Sequence, residues 1–177
     1  MEEYKRLKRE LIHKGKIIDY YCDYMQIPNG TVAEWDFINH KGAAAIVPVD
    51  SDGNIIMVRQ YRNALERYTL EIPAGGLNAG ETMKECAVRE LEEETGYRTK
   101  AAEHLIDIYT TVAFCNEKIG IYLAEDLMPG RQHLDSDEFL NVEKHSLTEL
   151  MELIFTGKIE DSKTVSALLA YKAKRSL

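Results

Sequence analysis

The chain has 177 residues, 45% of them hydrophobic and 29% charged, enough for one globular domain with a substantial core and at most a small appended segment. Its net charge of −8 argues against a nucleic-acid backbone or an anionic membrane as the main partner, although cations standing between the two would still let it bind phosphates. The three cysteines, Cys22, Cys86 and Cys115, have no metal-ligand spacing and their odd number completes no disulfide framework, so reduced thiols and a cytoplasmic location are expected.

The N-terminal stretch MEEYKRLKRELIHKG lacks the apolar core of a signal peptide, and no apolar run approaches the roughly 20 residues of a membrane span. Residues 2–10 read as a short charged helix. Lys16 to Asn39 reads as two strands around the turn Pro28-Asn29-Gly30. Ala43–Val49 is a nearly continuous apolar strand, returned through Asp50-Ser51-Asp52-Gly53 as the strand Asn54–Tyr61, and Tyr68–Ile72 is a short strand ending at Pro73. Thr82–Thr95 is a helix stopped by Gly96. Strands follow at Ala102–Thr111 and Lys118–Ala124, a polar loop at Pro129–Asp137, and a further strand at Phe139–His145. Helices are expected at Leu147–Phe155 and Ser162–Lys174, the second with Ser162 as N-cap. Strands first, one helix in the middle and helices last imply an α+β layered domain.

The central helix carries the chemistry. At 100° per residue, Met83, Ala87 and Leu91 form an apolar stripe, and Glu90 and Glu94 fall within or beside it. Glu85 and Glu92 point away, and Arg89 with Glu93 forms an i,i+4 pair at the border. A solvated acidic helix accounts for the outward glutamates but not for Glu90 and Glu94, because unpaired buried carboxylates cost several kcal/mol. A hard cation held by oxygen ligands, Mg²⁺ or Mn²⁺, accounts for them. Gly75-Gly76 ahead of the helix, with Pro73, makes a tight turn that can aim the Ala74 carbonyl at that cation.

The run Gly75, Glu81, Arg89, Glu90, Leu91, Glu93, Glu94, Gly96 and Tyr97 resembles the spaced signature of Nudix hydrolases, with Tyr97 where an aliphatic residue is usual. The resemblance implies the Nudix fold, a mixed β-sheet sandwiched between helices, with an N-terminal antiparallel strand segment. It implies metal contacts from Glu90, Glu93, Glu94 and the Ala74 carbonyl, with Glu93 and Glu94 serving catalysis, and Arg89 holding the glutamates rather than meeting substrate. Arg59-Gln60-Tyr61-Arg62 and Leu70-Glu71-Ile72-Pro73-Ala74-Gly75 resemble the ADP-ribose pyrophosphatase branch. In that branch the N-terminal strands cross to a second subunit, so residues 1–40 are expected to serve dimerisation and base binding, and residues 41–177 to form the hydrolase domain.

The implied reaction is Mg²⁺-dependent hydrolysis of the diphosphate bond of ADP-ribose or a related nucleoside diphosphate sugar by a homodimer, giving a nucleoside monophosphate and a sugar phosphate. Arg59, Glu71 and Glu117 are the polar substrate or scaffold candidates, with Tyr61 and Arg62 behind them. Trp35 or Phe37 is the candidate to stack on the base, set against ordinary strand packing. Glu138, with Asp137 second, is the candidate base from a loop. The chain departs from the branch at Thr110-Thr111-Val112-Ala113-Phe114, where a Ser-Pro-Gly-like element is usual. Hydrolysis of modified nucleoside triphosphates is a second reading, and a non-catalytic nucleotide sensor a third.

Overall fold

A computed structural model describes residues 3–136 and 138–176. The chain divides into two compact units, Met1–Gly42 with Tyr109–Lys118, and Ala43–Ile108 with Ile119–Leu177.

The smaller unit is an antiparallel sheet in the order β1 (Lys5–Lys14), β2 (Asp19–Gln26), β3 (Val32–Asn39). The charged helix expected over residues 2–10 is instead strand β1, paired with β2 along its length. Contacts distant in sequence override the local pattern there. Arg9 forks onto Asp23 with two 2.6 Å hydrogen bonds, and its guanidinium stands 3.6 Å from the centre of the Phe37 ring. The β2–β3 hairpin turns at the expected Pro-Asn-Gly, where Gly30 takes φ 85° and the Asn29 side chain accepts the Thr31 N–H at 3.0 Å. The segment 109–118 joins this unit through the Ile38 N–H, which donates to the Phe114 carbonyl at 2.7 Å.

The larger unit holds β4 (Ala43–Pro48), β5 (Asn54–Arg62), β6 (Arg67–Glu71), β7 (Ala74–Gly76), α1 (Met83–Thr95), β8 (Tyr97–Arg98), β9 (Glu103–Tyr109), β10 (Lys118–Ala124), β11 (Met128–Pro129), β12 (Leu140–Ser146), α2 (Leu147–Phe155) and α3 (Ser162–Lys174). One sheet runs β7-β4-β10-β9 and is mixed, with β4 parallel to β10 and antiparallel to β7. A second, antiparallel, runs β12-β5-β6. Strand β4 shows why its sequence is apolar throughout. Ala43, Ala45 and Val47 pack with Leu150, Leu168 and Tyr171 of α2 and α3, while Ala44 and Ile46 pack with Cys86, Ala87 and Leu91 of α1. A strand covered on both faces has no polar side to show. The expected α+β layering, a mixed sheet between helices, is therefore present.

Helix α1 starts with a capping box. The Thr82 hydroxyl accepts the Glu85 N–H at 3.3 Å, and the Glu85 carboxylate accepts the Thr82 N–H at 2.9 Å. It stops at Gly96, whose φ of 73° suits a residue without Cβ. The N-cap of α3 is Asp161 rather than Ser162, because the Asp161 carboxylate accepts the Thr164 N–H at 3.0 Å. Strand β7 carries no strand signal in its sequence Ala-Gly-Gly. Its backbone pairing with Ala43–Ala45 of β4 creates it. Among the described residues no helix is long and apolar enough to cross a membrane.

Candidate active site

Strand β7 delivers residues 74–76 against the inner face of α1, and Gly75 is where the two come closest. A Cβ there would stand 2.0 Å from the Glu90 carboxylate. Arg89 ties this cluster together. Its Nε and Nη2 donate to Glu81 at 2.7 and 2.9 Å, its Nη1 donates to Glu90 at 2.6 Å and Glu93 at 2.7 Å, and its Nη2 reaches the Gly76 carbonyl at 3.1 Å. Glu81 also accepts the Asn78 N–H at 2.9 Å, and its bond to Arg89 leads the effects that hold its carboxyl down at about 2. The role of Glu81, open in the sequence, is thus to anchor Arg89 and the loop before the helix. Cys86 is no nucleophile, since burial pushes its thiol up to about 12.

Among the described residues Glu94 has no such cation in contact with it. It is 3% exposed and its carboxylate accepts the Ala74 N–H at 3.2 Å. Burial first, then the charges of Glu90 and Glu138, push its carboxyl up to about 8 against the stabilising Ala74 N–H. Burial also raises Glu90, with Arg89 opposing the shift and Glu93 and Glu138 adding to it. Three carboxylates, Glu81, Glu90 and Glu93, therefore share one guanidinium, and a fourth, Glu94, is held by the Ala74 N–H. Among the described residues no three His, Cys, Asp or Glu side chains stand together as a ready metal cage, and Arg89 engages both Glu90 and Glu93. The excess buried negative charge, with oxygen as its donor, is what a hard divalent cation would neutralise, so the residues present fit such an ion.

Comparison with known proteins bears on this cluster. The model of the NUDIX domain matches residues 39–168. The chain belongs to the Nudix family. An ADP-ribose pyrophosphatase of Bacillus subtilis is 38% identical over 99% of this chain and 96% of its own. The methanol dehydrogenase activator of Bacillus methanolicus is 37% identical over the same shares. A crystal structure of an ADP compounds hydrolase, 24% identical, superposes with a TM-score of 0.87 over 98% of this chain and 94% of its own, which shows the fold.

Arg89 links Glu90 to Glu93 within the helix, and the Ala74 N–H links the lead-in strand to Glu94. Hydrolases of this family depend on divalent metal in general. Glu138 lies close enough for its charge to reach Glu90 and Glu94, and its carboxylate accepts the Asp135 N–H at 3.2 Å. Asp137 lies outside the described residues.

The substrate candidates are placed differently. Glu71 is 1% exposed and bidentate with Arg62 at 2.7 and 2.6 Å. Lys163 bonds it as well. Burial opposes its ionisation, but Arg62 and Lys163 outweigh burial and hold it at about 2. Glu71 is thus scaffold. Arg59 shares a strand face with Met57 of the larger core and forks onto Glu143 at 2.5 and 3.0 Å. Arg62 stands on the opposite face, where Glu71 first, and more remotely Glu94, raise its pKa. In the smaller unit Trp35 is 46% exposed, with its ring 5.9 Å from that of Tyr4. Glu117 accepts the Thr110 hydroxyl at 2.7 Å and faces His40 at 3.5 Å.

The sequence ranks Arg62 only behind Arg59 and Glu71 and gives no role to Lys163 and Thr164, which the structure sets beside Glu71 and Ile72. One signal was available for Lys163: a lysine in the first turn of a helix opposes the helix dipole and so needs a carboxylate of its own.

Proposed function

We propose that this Nudix enzyme hydrolyses the diphosphate bond of ADP-ribose or a related nucleoside diphosphate sugar, with Mg²⁺ as the working ion and Mn²⁺ as a substitute. The observation that carries the reading is the buried pair Glu90 and Glu94, set against Ala74 and left with more negative charge than Arg89 offsets. Full-length similarity to an ADP-ribose pyrophosphatase supports the substrate class.

A bound divalent cation would offset the charge of the two phosphates and lower the pKa of an attacking water. The Ala74 carbonyl and the Glu90, Glu93 and Glu94 carboxylates would hold it. Arg89 keeps Glu90 and Glu93 in place from behind. Glu138 takes the proton from water as its oxygen bonds to phosphorus and the bridging P–O bond breaks. AMP and ribose 5-phosphate leave from ADP-ribose. Glu138→Gln is expected to lower kcat about 10²-fold with KM within a factor of two. Unchanged kcat in steady-state assays excludes Glu138 as the base.

Residues 1–40 serve dimerisation, and residues 16–39, with Trp35 or Phe37, take the base. Ile17 at 70% and Ile12 at 53% exposure supply apolar surface for a second copy to cover. A panel of ADP-sugars, GDP-sugars, dinucleotides and modified nucleoside triphosphates, with Mg²⁺ or Mn²⁺ and product identification, tests the reaction. AMP and ribose 5-phosphate from ADP-ribose are expected. Pyrophosphate release from triphosphates alone, or no turnover of any compound, overturns the reading. Light scattering on the same sample is expected to give twice the 20.2 kDa chain mass.

A further inference from the structure

Two consecutive residues in the first turn of α3 grip Glu71, the last residue of β6, and Ile72 just after it, on the way into the carboxylate cluster. Lys163 bonds Glu71 and, at 3.0 Å, Asp161. Thr164 is completely buried, and its hydroxyl accepts the Ile72 N–H at 3.1 Å while donating to Asp161 at 2.6 Å. Ile72 lies just past the end of β6 and before Pro73, so its N–H is outside the β6 ladder and needs an acceptor from elsewhere. The next links follow directly. The Pro73 carbonyl accepts the Ile46 N–H at 3.0 Å, and the Ala74 N–H donates to Glu94 at 3.2 Å. Every residue from Glu71 to Ala74 is therefore held: the Ile72 side chain is buried in the core, and its N–H is met by the Thr164 hydroxyl.

We propose that Thr164 is a positioning residue whose hydroxyl, through the Ile72 N–H, sets where the Ala74 peptide stands against Glu94 and so how well the cluster takes a divalent cation. The inference rests on the proposed metal-dependent reaction. Thr164 directs its hydrogen bonds to Ile72 and Asp161 and acts through the backbone. Errors of a fraction of an ångström there matter because hard-cation ligands must meet at fixed distances. Lys163 is a poorer probe, since removing it also removes a positive charge felt by Glu94. Thr164→Val keeps shape and charge while deleting the hydroxyl, and Thr164→Ser keeps the hydroxyl.

The test is Mn²⁺ titration calorimetry on the full chain without substrate, beside ADP-ribose kinetics at saturating metal. Thr164→Val is expected to bind Mn²⁺ about 10-fold more weakly and to lose kcat with KM within about twofold, the scale seen for groups that orient metal ligands. Thr164→Ser is expected to stay within about threefold of the unmodified chain. Unmodified Mn²⁺ affinity in the valine variant overturns the clamp and leaves the reaction standing. So does a serine variant that falls as far as the valine one. If the valine variant does not fold, Thr164→Ala is measured in the same way, and unmodified affinity there also overturns the proposal. Failure of the unmodified chain to bind Mn²⁺ overturns the metal reading itself, and the clamp with it.

Discussion

Glu94→Gln is expected to lower kcat by 10²- to 10³-fold or more while making the metal-free protein more resistant to heat at pH 8. The two effects have one cause. Glu94 is 3% exposed and among the described residues has no salt-bridge partner, Lys163 acting on it only from a distance, so its charge is useful to a bound ion and costly without one. Its ordinary carboxyl pKa of 4.5 is pushed up to about 8 in the folded chain, mainly by burial and then by Glu90. Between those values the folded state holds a proton that the unfolded state has released, so the stability of the metal-free protein falls as pH rises through that window. At about 1.4 kcal/mol per unit the shift is worth a few kcal/mol. Glutamine keeps the oxygen that accepts the Ala74 N–H and removes the Glu94 part of the slope, leaving the part due to Glu90. Calorimetric melting at pH 5.5 and pH 8, with and without Mg²⁺, checks it. Retained turnover, or a melting temperature independent of pH in the unmodified metal-free chain, contradicts this account of Glu94.

Gly75→Ala is expected to cost about 1–3 kcal/mol of stability and about 10²-fold in kcat. The added Cβ would lie 2.0 Å from one Glu90 oxygen and 2.3 Å from the carboxyl carbon. The carboxylate cannot swing freely away, because Arg89 holds it at 2.6 Å and the residue is 7% exposed. Backbone and metal-ligand candidate must therefore separate. Gly76→Ala is the internal control. Its Cβ would meet nothing within 4 Å, and its stability is expected within about 0.5 kcal/mol of the unmodified chain. Urea unfolding and kcat on both variants decide the matter. Equal losses from the two substitutions would falsify the steric account.

Much of this was readable beforehand where local chemistry and burial agree. The Thr82 start and Gly96 stop of α1 come from capping residues whose effect stays within one turn. The continuous apolar run of β4 announced a strand covered on both faces. Strand β1 was not readable, because its alternating charges suit a helix until Asp23 and Phe37, far along the chain, pair with Arg9. Strand β7 was not readable because pairing of its backbone, rather than its side chains, makes it a strand. Among the site residues, the spacing of Glu90 and Glu94 placed them inward correctly, since helix geometry fixes direction from sequence alone. Arg59 and Arg62, three residues apart on a strand, take opposite faces. Which face meets the carboxylates depends on how the sheet packs.

By itself, then, the sequence determined the acidic helix, its family and the inward direction of its key glutamates, because 3.6-residue periodicity and capping are local properties. Only the tertiary structure decided that Glu81 anchors Arg89, that Glu71 is sealed as scaffold between Arg62 and Lys163, and that Thr164 holds the Ile72 peptide. Those partners are separated by 8 to 92 residues, and only the packing of α1, β6 and α3 brings them within hydrogen-bond reach.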